Sequence, residues 1–166
     1  MCNFKYLSYP PIPLELYQSI YDSISNGDML ECFNVPDEVL NFVAPLFPEN
    51  YKILTQVIYS NLPIHCDHSR LSAYNFLIDL GGDNVVTNFF DGPPDYNIIE
   101  NIKFEKYRWH YINTGVPHNV IGIAPGATRI CITVYEEKKL YECLKIIKDD
   151  KLSIDGFEII NYPPLK

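Results

Sequence analysis

The sequence predicts a mainly β domain, either a sandwich or a barrel, with helices before and after the strands. Between Tyr51 and Tyr135, runs of β-branched and aromatic residues alternate with short turn sequences. Breaks such as Gly81-Gly82 and Pro125-Gly126 separate roughly eight short runs, a pattern typical of sandwiches and barrels. With 166 residues, of which 47% are hydrophobic and 20% charged, the chain has the size and composition of one globular domain.

Two helices are predicted ahead of the strands. In the segment 14–24, Leu16, Ile20 and Ile24 recur every four residues, which is the spacing of an amphipathic helix. A second short helix is predicted from Pro36 to about Pro45, because proline is favoured in the first turn of a helix. We expect both helices to pack against a sheet and to carry no chemistry.

The β core is predicted over about 51–135. Its strands are expected at 52–59, 64–67, 73–80, 85–90, 98–107, 109–113, 119–123 and 128–135. Beyond it, the segment 138–148 has a helical stripe of apolar residues, and 157–160 is a candidate edge strand. We therefore expect one domain over 1–166, with a helical support of about 1–50 and a C-terminal helix and tail over 136–166.

Charge and cysteine usage limit the partners and the compartment. Against 13 basic residues stand 21 acidic ones, and the resulting net charge of −8 disfavours binding to nucleic acid. The five cysteines are scattered without a Cys-X-X-Cys pair, which is typical of a reducing compartment. The first ten residues lack the features of a signal peptide, and no apolar run approaches the ~18 residues of a membrane span. We expect a soluble cytoplasmic protein with no membrane partner.

The most informative stretch is His65-Cys66-Asp67. In a strand, side chains two residues apart project from the same face, so this imidazole and this carboxylate converge. Two ligands hold a divalent metal weakly, and His118 is the candidate for a third, because strand pairing can bring distant residues together. Two imidazoles and one carboxylate leave positions open on an octahedral metal, the arrangement of non-haem Fe(II) oxygenases.

Arg129 is the second unusual polar residue of the β core. It begins an otherwise apolar segment, where an unpaired guanidinium would be costly to bury, so it requires an anion from the protein or from a ligand. Arginine pairs with carboxylates through two parallel hydrogen bonds. A dicarboxylate such as 2-oxoglutarate would chelate the metal at one end and meet this arginine at the other.

The segment from about 51 to 135 resembles the catalytic core of the Fe(II)- and 2-oxoglutarate-dependent dioxygenases. The shared motif is His-X-Asp, a distant histidine and an arginine about ten residues later. Within this superfamily the chain is most similar to small prolyl-hydroxylase-like members, through 74–77, Gly81-Gly82 and 87–90, and through 109–120 on the approach to His118. The resemblance implies a double-stranded β-helix, a cupin-like jelly roll with flanking helices.

The resemblance also implies roles for individual residues. His65, Asp67 and His118 would bind Fe(II), with 2-oxoglutarate and O2 as co-substrates, and Arg129 would bind the far carboxylate. The products would be succinate, CO2 and a hydroxylated prolyl or other amino-acid side chain, in a peptide or a small molecule. Further co-substrate contacts are expected from three more residues, namely Tyr59, Asn75 and Cys131.

Two departures from the family and two alternatives accompany this interpretation. Cys131 stands where the family often has a serine, and the loop 91–105 has no counterpart that we can align. One alternative is a non-enzymatic jelly-roll binding module, in which His65 and His118 are ordinary strand histidines and Arg129 forms an ion pair with an acid. The other is a cupin-type metalloenzyme that does not use 2-oxoglutarate.

Overall fold

The computed structural model describes residues 3–67 and 70–137, which form two antiparallel sheets and two short helices. The helices are α1 (Tyr17–Asp22) and α2 (Asp37–Val43), with 3-10 turns at Leu14–Leu16 and Ala44–Leu46. The strands are β1 (Phe4–Tyr6), β2 (Leu30–Asn34), β3 (Tyr51–Ile58), β4 (Leu62–His65), β5 (Ser72–Leu80), β6 (Val86–Phe90), β7 (Ile98–Ile102), β8 (Trp109–Asn113), β9 (His118–Ile121) and β10 (Arg129–Glu136).

The strand order identifies the fold as a double-stranded β-helix. One sheet has the order β1-β8-β5-β10-β3-β2, and the other has the order β4-β9-β6-β7. From β3 onward the chain crosses to the opposite sheet at every connection except the hairpin between β6 and β7. The eight strands from β3 to β10 thus wind as a jelly roll, which confirms the predicted fold class.

Strands β1 and β2 extend the larger sheet at its two edges, and neither was predicted. β1 is only three residues long and pairs with β8. β2 reads Leu-Glu-Cys-Phe-Asn, which has no β-branched residue and no clear alternation. Its strand conformation depends on pairing with β3, from Leu30 opposite Ile58 to Asn34 opposite Leu54.

Both predicted helices cover the outer face of the larger sheet. Ile20 of α1 and Val39 of α2 are fully buried against that face, together with Phe76 and Ile132. Nearby, the Trp109 indole donates a hydrogen bond of 2.9 Å to the Pro10 carbonyl, which ties the N-terminal segment to β8. The helices therefore form a second apolar layer outside the barrel.

The alternation along β10 decides which residues face the barrel interior. Ile130, Ile132 and Val134 lie under the helices, whereas Arg129 and Cys131 line the interior. A register shift between β10 and β5 adjusts the pairing, so that Arg129 lies opposite Leu80 while Cys131 lies opposite Leu77. The irregularity keeps inward residues inward on both strands.

Two predicted strands have other bounds in the structure, and two predicted elements lie outside the described residues. The predicted strand 64–67 is β4 at Leu62–His65, so Asp67 lies in the loop after it. The predicted strand 98–107 ends at Ile102, and the chain turns before β8, where Tyr107 adopts a φ of 62°. The preceding part of the 91–105 loop is closed by the Asp91 carboxylate, which accepts hydrogen bonds from the Asn97 backbone and side chain. The predicted helix at 138–148 and the edge strand at 157–160 lie outside the described residues.

None of the helices in the described ranges is long and apolar enough for a membrane crossing. They are short elements of an outer layer, and their buried apolar side chains pack against the sheet. This matches their position, because an amphipathic helix of this kind buries one face and leaves the other in water.

Replacing Ile132 with alanine tests the layer between helices and sheet. Ile132 is completely buried, so Ile132→Ala should lower the free energy of unfolding by about 2–5 kcal/mol in urea denaturation. Ile99, which is 55% exposed on β7, provides the matched control, and Ile99→Ala should change the stability by less than about 0.5 kcal/mol. Equal losses in the two variants would contradict the burial described here.

Candidate metal centre

Two histidines face each other across the pairing of β4 and β9. His65 ends β4 and His118 begins β9, and the two are direct partners in the antiparallel register. Their ring centroids lie 4.3 Å apart, and both side chains are buried. Strand pairing thus brings together the two histidines that the sequence analysis selected from distant parts of the chain.

Each histidine is oriented by a backbone carbonyl two residues earlier. His65 Nδ1 lies 2.8 Å from the Pro63 carbonyl oxygen, and His118 Nδ1 lies 2.8 Å from the Val116 carbonyl oxygen. Because a carbonyl only accepts hydrogen bonds, both Nδ1 atoms carry the proton. This tautomer leaves the lone pair of each Nε2 available, as in histidines that bind a metal.

Asp67 completes the cluster from the loop that follows β4. Its Oδ1 lies 3.7 Å from His65 Nε2, and its backbone N–H donates to the Thr114 carbonyl at 2.9 Å. One ligand atom each from His65, Asp67 and His118 lies within 4.8 Å of the others, and all three residues are buried. These donors could hold one divalent ion.

The environment of His118 keeps this ligand in its neutral form. Burial, with a smaller contribution from the nearby His65, lowers the pKa of His118 to about 4. His118 is therefore a neutral imidazole at neutral pH, which is the form that binds metals.

Arg129 lies at the start of β10 and faces the same cavity. It is buried, and burial lowers the pKa of its guanidinium to about 10. The guanidinium carbon lies 5.5 Å from the Phe104 ring centroid, but no acidic side chain in the described ranges forms an ion pair with it. Among the described residues, the ion pair with an acid that belongs to the binding-module alternative is not formed, so the fold buries a cation whose counter-ion is not a described carboxylate.

A narrow cavity inside the barrel joins the two histidines to Arg129. Asn75 and Thr87 line it, and Asn75 Oδ1 and Thr87 Oγ1 are buried oxygens without a hydrogen-bond partner. Cys131 also lines it; its thiol donates to Gln56 Oε1 at 3.6 Å, and burial raises its pKa to about 11. The polar part of the cavity wall thus has unused hydrogen-bonding capacity.

Of the additional residues predicted for co-substrate contact, Asn75 and Cys131 line the cavity and Tyr59 does not. The Tyr59 hydroxyl donates to the Ser25 carbonyl, and its ring packs against the core beneath the helices. The reason is the alternation along β3, because Gln56 and Ile58 face the cavity and Tyr59 therefore points to the opposite side. The prediction for Tyr59 is therefore corrected.

Two residues of the interior were not selected from the sequence. Arg70 is buried and its Nε donates to Asp67 Oδ2 at 2.6 Å. His110 is fully buried, stacks on Phe104 with centroids 4.1 Å apart, and has an Nε2 without a hydrogen-bond partner. An arginine three residues after the His-X-Asp aspartate was the available signal for Arg70, whereas His110 stood in an aromatic run that gave none.

Comparisons with known proteins give only distant likenesses. No family model matches the chain, and no curated protein sequence matches it. The ribosomal oxygenase YcfD of Escherichia coli is similar in structure, with a TM-score of 0.42 and 13% identity over 76% of this chain and 36% of that one. A YcfD structure in complex with cobalt and 2-oxoglutarate gives a TM-score of 0.42 at 12% identity, over 75% of this chain and 36% of that one.

A storage protein is similar at the same level. Procruciferin, an 11S globulin from Brassica napus, has a TM-score of 0.39 and 12% identity over 93% of this chain and 45% of that one. The chain thus spans less than half the length of each of these proteins. Because these scores are low, the assignment of the fold rests on the strand order, and the assignment of the site rests on its geometry.

His110 should give the protein a measurable acid sensitivity. Burial, with a contribution from Arg129, lowers its pKa to about 3, so between about pH 6.5 and 3 the unfolded state binds a proton that the folded state does not. The free energy of unfolding should therefore decrease as the pH is lowered through this range. His110→Phe should remove up to one proton from that slope, about 1.4 kcal/mol per pH unit, as measured by urea unfolding from pH 7 to pH 4. Parallel curves for the two proteins would contradict this.

Proposed function

We propose that this protein is an Fe(II)- and 2-oxoglutarate-dependent oxygenase that hydroxylates an unactivated C–H bond. The observation that carries the proposal is one cavity that joins a buried His-Asp-His cluster to a buried arginine without a described acidic partner. Each half alone has an ordinary explanation. Together they match the two requirements of a metal chelated by a dicarboxylate.

The donor set favours iron over the usual structural metals. Two neutral imidazoles and one carboxylate are the ligands of non-haem Fe(II) sites, whereas structural zinc sites are usually built with thiolates in a closed tetrahedron. His65, Asp67 and His118 would hold the ion. When bound, iron supplies the oxidative chemistry by which O2 and 2-oxoglutarate give succinate, CO2 and a hydroxylated product.

Charge balance supports a dicarboxylate as co-substrate. Asp67 is already paired with Arg70, so a divalent ion would add positive charge to an interior that also contains Arg129. Burying these charges without an anion would be costly. A dianion of the size of 2-oxoglutarate would neutralise both ends, with its far carboxylate hydrogen-bonded to Arg129.

The remaining residues of the cavity would orient the co-substrate and limit its contact with water. Asn75 and Thr87 have unused hydrogen-bonding oxygens beside the proposed path from the cluster to Arg129. Leu62 and Val120 provide apolar wall close to the histidines. In such an environment, hydrogen bonds and ion pairs are stronger than in water.

For the substrate we propose a prolyl or other amino-acid side chain, in a peptide or a free molecule. The support is the sequence resemblance of the segments 74–90 and 109–120, which contribute Asn75, Thr87 and His118 to the site. Nucleic acid is disfavoured as a substrate by the net charge of −8.

The proposal predicts turnover that depends on His118. Purified protein with Fe(II), ascorbate and 2-oxoglutarate should form succinate, and His118→Ala should abolish this because the ion loses one of three protein ligands. Asn119→Ala is the control on the same strand, since Asn119 bonds to Asn88 rather than to the cluster, and it should retain succinate formation. Equal rates in the wild type, His118→Ala and a protein-free sample would exclude the oxygenase.

Arg129→Gln separates a 2-oxoglutarate enzyme from a cupin that uses its metal without this co-substrate. The variant should bind Co(II) like the wild type but bind 2-oxoglutarate at least tenfold more weakly in calorimetry, since it loses a charge-assisted pair. Arg108→Gln removes an equal charge from an exposed site and should have no effect on either ligand. Undiminished 2-oxoglutarate binding by Arg129→Gln would exclude the proposed role of Arg129.

A further inference from the structure

Arg70 is a buried arginine that contacts the candidate metal centre through Asp67. Its Nε donates to Asp67 Oδ2 at 2.6 Å, and its Nη1 donates to Thr133 Oγ1 at 2.7 Å. The guanidinium carbon also lies 5.0 Å from the centroid of the Tyr135 ring. The planar group is thus held by a carboxylate, a hydroxyl and an aromatic face, and its position leaves little freedom for rotation.

The contact with Arg70 gives the two oxygens of Asp67 different surroundings. Oδ2 accepts the hydrogen bond from Arg70, while Oδ1 is the oxygen that lies 3.7 Å from His65 Nε2. An aspartate without such a partner could turn about its side-chain bonds or bind an ion through both oxygens. With Oδ2 engaged, Oδ1 is the oxygen directed to the cluster.

The backbone around Asp67 and Arg70 is fixed by one turn. Thr114, between β8 and β9, accepts from the Asp67 N–H at 2.9 Å through its carbonyl, and its hydroxyl donates to the Arg70 carbonyl at 3.0 Å. The Thr114 N–H in turn donates to the Leu71 carbonyl at 3.0 Å. The loop after β4 is therefore bonded to the turn that leads to His118.

We infer that Arg70 is a positioning residue that fixes Asp67 as a one-oxygen ligand and balances its negative charge. A metal in this site would keep nearly all of its positive charge, and its open positions would favour an anionic co-substrate. The inference rests on the proposed metal site and goes beyond it. It assigns two tasks to Arg70, namely orienting the Asp67 carboxylate and balancing its negative charge.

Cobalt binding tests this role without any turnover. Co(II) should bind to the wild type, and Arg70→Gln should bind it about 10–100-fold more weakly, the usual effect of removing a hydrogen-bond partner of a ligand. The visible absorption spectrum of the Co(II) complex of Arg70→Gln should also change, because Asp67 in this variant can bind the ion through both oxygens. Arg70→Lys keeps the charge but cannot reach Asp67 and Thr133 with one planar group, so it should only partly restore binding.

Arg108→Gln is the control for charge. Arg108→Gln has the same net charge as Arg70→Gln. Because Arg108 is half exposed and pairs with Glu105, this variant should bind Co(II) with wild-type affinity and spectrum. If Arg70→Gln also shows wild-type affinity and spectrum, the positioning role is overturned. An arginine that merely fills space would leave the cobalt spectrum of every folded variant unchanged.

If the Arg70 variants do not fold, as judged by the loss of the wild-type circular dichroism spectrum, Thr133→Val tests the positioning role of Arg70 instead. It removes the second anchor of Arg70 and should weaken Co(II) binding by about threefold to tenfold, because Arg70 keeps its bond to Asp67 but loses the hydrogen bond that fixes its orientation. Unchanged affinity and spectrum in Thr133→Val would overturn the inference. Absence of Co(II) binding to the wild type, or equal binding to His118→Ala, would instead refute the proposed metal site itself.

Discussion

The antiparallel pairing of β4 with β9 is the contact on which the site depends. It places His65 directly opposite His118, and the carbonyls of Pro63 and Val116 then set both rings in the same tautomer. Neither histidine could be presented in this way by its own strand alone. The two sheets of the jelly roll, and the helices that cover the larger one, hold this pair in a buried position.

The described interior contains one close ion pair and one arginine without a described acidic partner. Asp67 is matched by Arg70, and Arg129 lies at the other end of the cavity without a described acid. Such an arrangement is costly in an empty barrel and favourable around an anion. This difference supports the proposed binding of an anionic co-substrate, and the support does not depend on similarity to other proteins.

Most of the strands from β3 to β10 could be predicted from the sequence because they are short runs rich in β-branched or aromatic residues between turns, but β4, which reads Leu-Pro-Ile-His, begins and ends two residues earlier than predicted. β2 could not, since Leu-Glu-Cys-Phe-Asn becomes a strand only through its pairing with β3. Likewise, the spacing of His65 and Asp67 is local, whereas the role of Arg70 depends on Thr133 from a distant strand. Tyr59 shows that the face of a side chain follows from the alternation of its strand, because Gln56 and Ile58 face the cavity and Val57 and Tyr59 face the helices.

The alternation of β10 makes one strand serve two ends of the cavity. Arg129 faces the cavity at the start of β10, and Thr133 anchors the guanidinium next to Asp67. Insertion or deletion of a single residue early in this strand would turn one of them away from the interior. Relatives that preserve the chemistry should therefore vary in length in the loops around β10 but not within it, and the irregular pairing with β5 should be retained with the strand.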